Sequence, residues 1–434
     1  MPRCVLVVDV DAFYVQVEEL REPALRQQPL AVFQKFLLIT CNYPARARGV
    51  TKLMRKEEAL AKCPELILKS AEDTTPYRNA SKNVLQTLEA WANKQEAIVE
   101  RLGMDEYCID ISSSAARLAS EAAECSAHAN VLAWSGHIYR AQGADAVTLQ
   151  PAEVLAGRDR CFRPMDLRAA SSSSSADIAQ VQVHKTTLRA SATAEEVLLA
   201  SGTHLASEVR QAILQSTGLR TSAGIAQNRL LAKFAAGIHK PNAQTVLLST
   251  EASAFLSPLP ATALPGVGRD LAEKLNSHGI HTIGDLRHSS VQTIEEALQG
   301  VKGGAATAEV AAARLFELAH GNDERPVRPT RPPGRISVED SFRKCGTQEG
   351  IQMVLSVLAP DLLTRLQEDS REAKRLTVSW RYYGSRTMNN PEGSTRNVVS
   401  RSIPFPALAG LSEAKAAAHL ASCAEKVISG FLGG

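Results

Sequence analysis

Residues 5–11, Val-Leu-Val-Val-Asp-Val-Asp, determine how the rest of this sequence is interpreted. The four apolar residues predict a buried strand, and Asp9-Val10-Asp11 stands at its end. A second acidic pair, Asp105-Glu106, lies in segment 101–110, which also predicts a strand. If the two strands are neighbours in one sheet, their carboxylates converge, and like charges that close need a cation between them. A pair of divalent cations for phosphoryl or nucleotidyl transfer is the usual solution.

Length and composition predict a multidomain globular protein. At 434 residues the chain exceeds one core, and two to four domains are expected. No apolar run approaches the roughly 20 residues that span a bilayer, and the N-terminus predicts a strand rather than a secretory signal. The eight cysteines include no Cys-x-x-Cys pair, so we expect free thiols in a reducing compartment. The net charge of +3 does not by itself indicate nucleic-acid binding.

The first half of the chain predicts alternating strands and helices. The expected elements are a helix over 13–20, a strand over 32–40 followed by helical sequence, the acidic strand over 100–112, a strand from 131, a helix over 195–217 and a strand over 221–225. Residues 144–194 interrupt this pattern with Ala and Ser, including a run of Ser from 171 to 175. That composition predicts a poorly ordered insertion.

The second half predicts a helical region and then a separate α/β unit. Residues 242–320 predict short helices separated by Gly and Pro, and residues 325–335 predict a stiff, basic linker because the prolines exclude a helix. The expected elements after the linker are a strand over 336–342, a helix over 348–367, strands over 375–383 and 396–403, and a helix over 412–428.

Three segments carry groups that suit a nucleotide. Tyr14 follows the first acidic strand and is placed to lie under a sugar, although a buried aromatic on a helix face gives the same pattern. Tyr43 and Arg46 stand at a predicted helix start, where phenol and guanidinium donors suit a triphosphate. Thr40 adds a hydroxyl just before them. Lys233, on the helix that follows Gly224, can reach a phosphate as a point charge.

Two further segments predict contact with a DNA backbone. Gly266 and Gly268 lie in a helix–hairpin–helix signature over 264–275, where glycines let the backbone approach phosphates without reading sequence. Arg375 and Arg381 share one face of an alternating strand and could donate to phosphates. A plain solvated sheet face would give the same alternation.

In this order, the segments resemble the Y-family of translesion DNA polymerases across nearly the whole chain. Segments 34–46, 101–106, 135–139, 240–246 and 337–342 are similar to the iota branch of that family. A kappa-like member is the alternative, and Gln34-Lys35 and segment 135–139 are the discriminating features.

The resemblance implies an α+β multidomain fold of the right-hand polymerase type. Its parts would be a palm with a ferredoxin-like antiparallel sheet plus helices (1–32 and 100–241), small fingers (33–99), a helical thumb with the helix–hairpin–helix (242–324), the linker (325–335) and an α/β little finger (336–434). The little finger is expected to lack its last strand, as in a shortened chain.

The resemblance also implies a role for each candidate residue. Two Mg²⁺ ions, with Mn²⁺ as an alternative, would be held by Asp9, the Val10 carbonyl, Asp105 and Glu106, with Asp9, Asp105 and Glu106 as catalytic carboxylates and Asp11 as the less certain ligand. Tyr14 would exclude a 2′-hydroxyl, while Thr40, Tyr43, Arg46 and Lys233 would bind the triphosphate. Gln34 and Lys35 would crowd the template base so that a purine turns syn and pairs through its Hoogsteen edge. Gly266, Gly268, Arg375 and Arg381 would contact DNA.

The implied activity is template-directed, low-fidelity addition of deoxynucleotides to a primer 3′-end. The implied partners are primer–template DNA and deoxynucleoside triphosphates, without a membrane, and the implied location is the nucleus. No clamp-binding or ubiquitin-binding segment is recognisable. A DNA-binding scaffold with an inactive polymerase fold is the alternative from a different class.

Overall fold

A computed structural model of the chain describes residues 3–124, 133–139, 185–187, 192–299, 307–340, 347–369, 371–383 and 396–432. The chain divides into two compact units, Met1–Thr330 and Arg331–Gly434. Most of the predicted insertion at 144–194 lies outside the described residues, and its part at Lys185–Thr187 forms a strand. Within the described ranges, no helix is long and apolar enough to cross a membrane. The five cysteines in those ranges whose state is defined are free thiols: Cys4, Cys41, Cys63, Cys108 and Cys423.

The first unit combines eleven strands and twelve α-helices within its described residues. The strands are β1 (Val5–Val10), β2 (Leu30–Gln34), β3 (Leu37–Cys41), β4 (Ile67–Ser70), β5 (Ile98–Arg101), β6 (Glu106–Asp110), β7 (Ala133–Ser135), β8 (His137–Ile138), β9 (Lys185–Thr187), β10 (Thr221–Ala226) and β11 (Gln244–Val246). The helices are α1 (Phe13–Arg21), α2 (Tyr43–Ala47), α3 (Lys56–Lys62), α4 (Thr75–Gln95), α5 (Ser112–Glu124), α6 (Ala194–Thr217), α7 (Arg229–Ile238), α8 (Ser249–Leu256), α9 (Arg269–Ser277), α10 (Ile283–His288), α11 (Val291–Leu298) and α12 (Ala308–Ala319).

A six-stranded sheet in the order β5-β6-β1-β10-β11-β8 organises the first unit. β5, β6, β1 and β10 pair antiparallel, as predicted. β11 pairs parallel with both β10 and β8, so the prediction of an antiparallel sheet is wrong at this side. The reason is that α7 crosses over between β10 and β11 and returns the chain in the same direction. The strand β11 itself was not predicted.

The central strand β1 is buried on both faces. Val5 and Val7 pack in a cluster that includes α7 and the helices α8 to α12. Leu6 and Val8 pack on the other face in a cluster that includes α4 and α6. Burial on both faces explains why the strand is a continuous apolar run without alternation.

The strand predicted over 32–40 is instead a hairpin. β2 and β3 pair antiparallel, and Lys35, with a φ of 58°, occupies the turn between them. The strand predicted over 100–112 is likewise two strands. β5 ends at Arg101, and the Leu102 and Gly103 N–H groups donate to the Glu106 carbonyl in a turn before β6. Asp105 therefore stands just before its strand rather than inside it.

The proline-rich segment 325–335 contains neither helix nor strand, as its prolines predict. Its first half is nevertheless fixed to strand β5. The Thr330 N–H donates to the Val99 carbonyl at 2.8 Å, and the Arg328 N–H donates to Glu100 Oε2 at 2.9 Å. Val327 is buried in the core. The second unit begins immediately after this anchored segment, at Arg331.

The second unit packs two helices on an antiparallel strand pair. Its elements are α13 (Gln348–Gln367), β12 (Arg375–Tyr383), β13 (Arg396–Pro404) and α14 (Glu413–Leu432). The strand predicted over 336–342 does not form at 336–340, and 341–342 lie outside the described residues. Residues 336–340 alternate between half-buried and exposed, as a strand would, but they join no sheet ladder among the described strands.

Candidate active site

The register of three central strands brings the two acidic clusters together. Asp9 on β1 stands directly opposite Glu106 on β6 and opposite Ser222 on β10. The Val10 N–H donates to the Asp105 carbonyl at 2.9 Å. The predicted strands are therefore neighbours, and Asp9, Asp105 and Glu106 occupy one end of the sheet.

Asp11 is buried, and its carboxylate is used inside the protein. The residue is 3% exposed, and its carboxylate accepts hydrogen bonds from the Ser222 hydroxyl at 2.8 Å and from the Asn242 N–H at 2.8 Å. Burial raises the pKa of Asp11, while the charge of Lys240 opposes that shift. The arrangement makes Asp11 an anchor for segment 240–242.

Two lysines pair with the carboxylates. Lys240 forms ion pairs with Asp9 and, at 3.9 Å, with Asp11. Burial would lower the pKa of Lys240, but the negative charges of these two carboxylates outweigh burial and raise it. Lys233, predicted to reach a phosphate, pairs with Glu106. Sequence reasoning assigned no role to Lys240, although this residue follows the helix that carries Lys233 and begins segment 240–246, on which the resemblance partly rests.

Crowding of negative charge is visible at Asp105. Burial, followed by the charge of Asp9, raises the pKa of Asp105 to about 6. Across the parts of the chain that the structure describes, no three His, Cys, Asp or Glu side chains form a ready-made metal site. At this end of the sheet, the negative charges of the Glu106 and Asp9 carboxylates are balanced by the ammonium groups of Lys233 and Lys240.

The predicted phosphate-binding residues of α2 lie close to this end of the sheet. Asn42 caps the helix by accepting a hydrogen bond from the Ala45 N–H at 3.1 Å. The Arg46 guanidinium carbon lies 4.7 Å from the centre of the Tyr43 ring. Burial raises the pKa of Tyr43, and the charge of Asp11 raises it further. Thr40 is half-buried on β3, opposite Val32.

Tyr14 lies beside the second acidic cluster, at the start of α1. Its ring centre is 4.3 Å from that of Tyr77, and its hydroxyl donates to Met104 Sδ at 3.6 Å. Burial raises the pKa of Tyr14, and the charge of Asp105 adds to that shift. Gln34 and Lys35, in contrast, are exposed at the β2–β3 turn, where the Lys35 N–H donates to Glu72 Oε1 at 2.7 Å.

The predicted DNA-contacting residues lie on open surfaces. Gly266 has a φ of 97°, Gly268 precedes α9, and at neither glycine would an added Cβ have an atom within 4 Å. Arg375 and Arg381 are exposed on β12, whereas Leu376 of the same strand is buried. The predicted alternation of this strand is thus confirmed.

A buried arginine behind the site was also missed. Arg210 of α6 is 1% exposed, and its three nitrogens donate to the Thr221 carbonyl, Gln244 Oε1 and Asn242 Oδ1, each at 3.0 Å. Burial lowers the pKa of Arg210 to about 10, and the charge of Asp11 opposes that shift. In the sequence, Arg210 was only one polar residue of a periodic helix.

Family models match three parts of the chain. The chain matches the model of the impB/mucB/samB family over residues 8–237, the model described as DNA polymerase-iota, thumb domain, over residues 262–307, and the impB/mucB/samB C-terminal domain over residues 333–428. It is 32% identical to proteins named DNA polymerase iota from Mus musculus and Homo sapiens over 93% of its length, covering 47% and 46% of theirs. It is 29% identical to DNA polymerase IV of Legionella pneumophila (strain Paris) over 86% of its length and 79% of that protein. The chain spans about half the length of the iota relatives.

Proposed function

This chain belongs to the impB/mucB/samB family, and we propose that it is a template-directed, low-fidelity DNA polymerase of the translesion Y-family with iota-like properties. The observation that carries the proposal is the strand register, which sets Asp9 opposite Glu106 with Asp105 bound to the neighbouring backbone. The similarity to proteins named DNA polymerase iota and DNA polymerase IV supports the same activity.

The carboxylates fit two divalent cations by their chemistry. Carboxylate and carbonyl oxygens are the ligands that Mg²⁺ prefers. Burial and, after it, the charge of Asp9 raise the pKa of Asp105, and a bound cation would oppose both effects by stabilising the carboxylate. Asp9, the Val10 carbonyl, Asp105 and Glu106 would hold Mg²⁺, or Mn²⁺ in its place. Such cations, when bound, make a primer 3′-hydroxyl easier to deprotonate and stabilise a leaving pyrophosphate.

The chain's own cations would bind and orient the triphosphate. Tyr43 and Lys240 lie on the Asp11 side of the carboxylates, and Arg46 lies against the Tyr43 ring. The donors of all three side chains suit phosphate oxygens. Lys233 stands on the Glu106 side. The ammonium groups of Lys233 and Lys240, which pair with Glu106 and Asp9, would be available to phosphate oxygens when those carboxylates hold cations.

Base and sugar selection would fall to other residues. The Tyr14 ring, packed against Tyr77 beside Asp105, would lie under the sugar and exclude a 2′-hydroxyl. Thr40 would support the triphosphate from β3. Gln34 and Lys35, exposed at the hairpin turn, would contact the template base and favour Hoogsteen pairing.

Each region of the proposed polymerase would correspond to a set of the observed strands and helices. The six-stranded sheet and its helices would form the palm, the β2–β3–β4 sheet with α2 and α3 the fingers, α8 to α12 the thumb, and the second unit the little finger. Gly266 and Gly268 in the thumb, with Arg375 and Arg381 in the little finger, would contact primer–template DNA. The proposed location is the nucleus.

Primer extension tests this proposal. Wild-type protein should add single deoxynucleotides to a primer with Mg²⁺ or Mn²⁺, stop on addition of EDTA, and choose the nucleotide according to the template base. An iota-like enzyme should differ in fidelity between template A and template T, and equal fidelity at both would count against the iota assignment. Lysine pairing of Asp9 and Glu106 is the observation that favours an inactive scaffold, and DNA binding without extension would support that alternative.

A further inference from the structure

Arg210 ties together three segments that meet behind the carboxylates. Its planar fork reaches the first residue of β10 through the Thr221 carbonyl, the first residue of β11 through Gln244, and the preceding turn through Asn242. A guanidinium buried to this degree is costly unless its donors are satisfied. The buried Arg210 guanidinium therefore fixes the relative positions of these three segments.

A short chain of contacts connects this junction to the site. Asn242 has a left-handed φ of 51°, and its N–H donates to Asp11 Oδ2 while its side chain accepts from Arg210. Lys240, two residues earlier, pairs with Asp9 and Asp11. The position of the Lys240 ammonium thus depends on a segment that is held from behind by Arg210 and from the front by Asp11.

We propose that Arg210 is a positioning residue for nucleotide binding: by fixing Asn242, it holds Lys240 where a triphosphate is bound. The inference rests on the proposed function. It states that Arg210, which itself touches no substrate, sets the position of the phosphate-binding Lys240. Lysine cannot replace arginine in this role, because an ammonium group lacks the planar fork that reaches three acceptors in fixed directions.

Arg210→Lys is the first test, because it keeps the charge and removes the fork. The expected result is a KM for the incoming deoxynucleotide raised about ten-fold, since a small misplacement of a binding group has effects of that order or larger. The kcat and the affinity for primer–template DNA should stay within about three-fold of wild type, because neither depends on the Lys240 position in the proposal.

A double-mutant cycle with Lys240→Ala separates positioning from a general structural effect. Lys240→Ala alone should raise the KM for the nucleotide. In the Lys240→Ala background, Arg210→Lys should add no further increase, because the residue through which Arg210 acts is gone. If the increase in KM in the double variant equals the product of the two single increases, the proposal is overturned, because Arg210 then acts on the site independently of Lys240.

Asn242→Gly provides a second variant in case Arg210→Lys does not fold. Glycine accepts the positive φ and removes the side chain that accepts from Arg210, so the same increase in KM and the same lack of additivity are expected. Ser207→Ala is the matched control. Ser207 hydrogen-bonds Gln244, which Arg210 also contacts, and its hydroxyl otherwise bonds Ser135 and the Thr203 carbonyl. The Ser207→Ala variant should therefore have the wild-type KM for the nucleotide.

The outcomes distinguish the inference from the function on which it rests. If wild-type protein does not extend primers, the proposed function fails and the inference fails with it. If wild type extends primers but Lys240→Ala leaves KM unchanged, or if Lys240→Ala raises KM while Asn242→Gly and Arg210→Lys do not, only the positioning role is overturned.

Discussion

The carboxylate end of the main sheet and the outer face of β12–β13 are built in opposite ways. At the carboxylate end, Asp11 and Lys240 are held by buried hydrogen bonds and ion pairs. On the β12–β13 face, exposed hydroxyls pair across the strands, with Thr377 and Ser379 bonded to Ser402 and Ser400 at 2.8 Å. One region fixes a few groups precisely, and the other repeats similar groups over an open surface.

This difference predicts two kinds of mutational response. Groups that act on reacting atoms must be held to a fraction of an ångström, so one change at the carboxylate end should have a large effect. Contacts with a DNA backbone are electrostatic and additive, so single changes on an open face should have small, salt-dependent effects. The following predictions test that contrast in order of expected size.

The largest effect is expected for Asp9→Asn. The substitution keeps the shape of the side chain but removes the negative charge of Asp9, which stands opposite Glu106. Primer extension should therefore fall by about 1000-fold or more, while DNA binding is retained. The control is Asp110→Asn on β6, a carboxylate at the opposite end of the strand pair, beside Val5. Comparable losses in both variants would contradict the special role of the Asp9 end.

A smaller effect is expected for Tyr14→Ala, measured as the ratio of deoxynucleotide to ribonucleotide insertion. Removing the ring should lower this ratio by roughly ten- to a hundred-fold, because steric selection by one side chain is of that order. Tyr14→Phe loses only the hydroxyl that contacts Met104 and should keep the wild-type ratio. An unchanged ratio in Tyr14→Ala would remove Tyr14 from sugar selection.

Arg375→Ala combined with Arg381→Ala should weaken DNA binding modestly and in a salt-dependent way. Loss of two phosphate contacts should reduce the slope of log affinity against log salt by about two. Arg365→Ala is the control, because Arg365 pairs with Asp361 on α13. A titration at several salt concentrations measures the slopes, and equal slopes in all three proteins would exclude the β12–β13 face from DNA contact.

The smallest effect is expected for Gly268→Ala. The added Cβ meets no atom within 4 Å, so thermal unfolding should be unchanged, while the approach of a DNA backbone should be hindered by about two- to three-fold in affinity. Gly430→Ala, also in open space but on α14, should bind DNA as wild type does. Identical affinities for both variants would argue against a phosphate contact at Gly268.

Local pattern was sufficient for three elements of the first unit, although the acidic strand predicted over 100–112 is two strands. β1, α6 and β10 were predicted within a residue or two of their observed bounds, because apolar runs and helical periodicity are strong signals. The β2–β3 turn was missed because Lys35, a non-glycine residue, takes its positive φ without the usual turn residues. Residues 336–340 resemble a strand in sequence, but strand formation depends on a partner that local pattern does not reveal.

The contributions of Lys240 and Arg210 could not be predicted for a related reason. Lys240 pairs with Asp9, which is 231 residues away in the sequence. The segment that carries Lys240 leads into the three-residue strand β11, whose parallel pairing is set by the α7 crossover. Arg210 is buried by contacts with Asn242 and Gln244, which are 32 and 34 residues away. In both cases the contacts depend on long-range packing, which the periodicity of the surrounding sequence does not reveal.

The most direct test of the central claim is primer extension by the double variant Asp105→Ala plus Glu106→Ala, with DNA binding measured in parallel. If the end of the sheet is the nucleotidyl-transfer centre, the variant should bind primer–template DNA with nearly wild-type affinity and add no nucleotide above background. Full extension by the double variant would contradict the account.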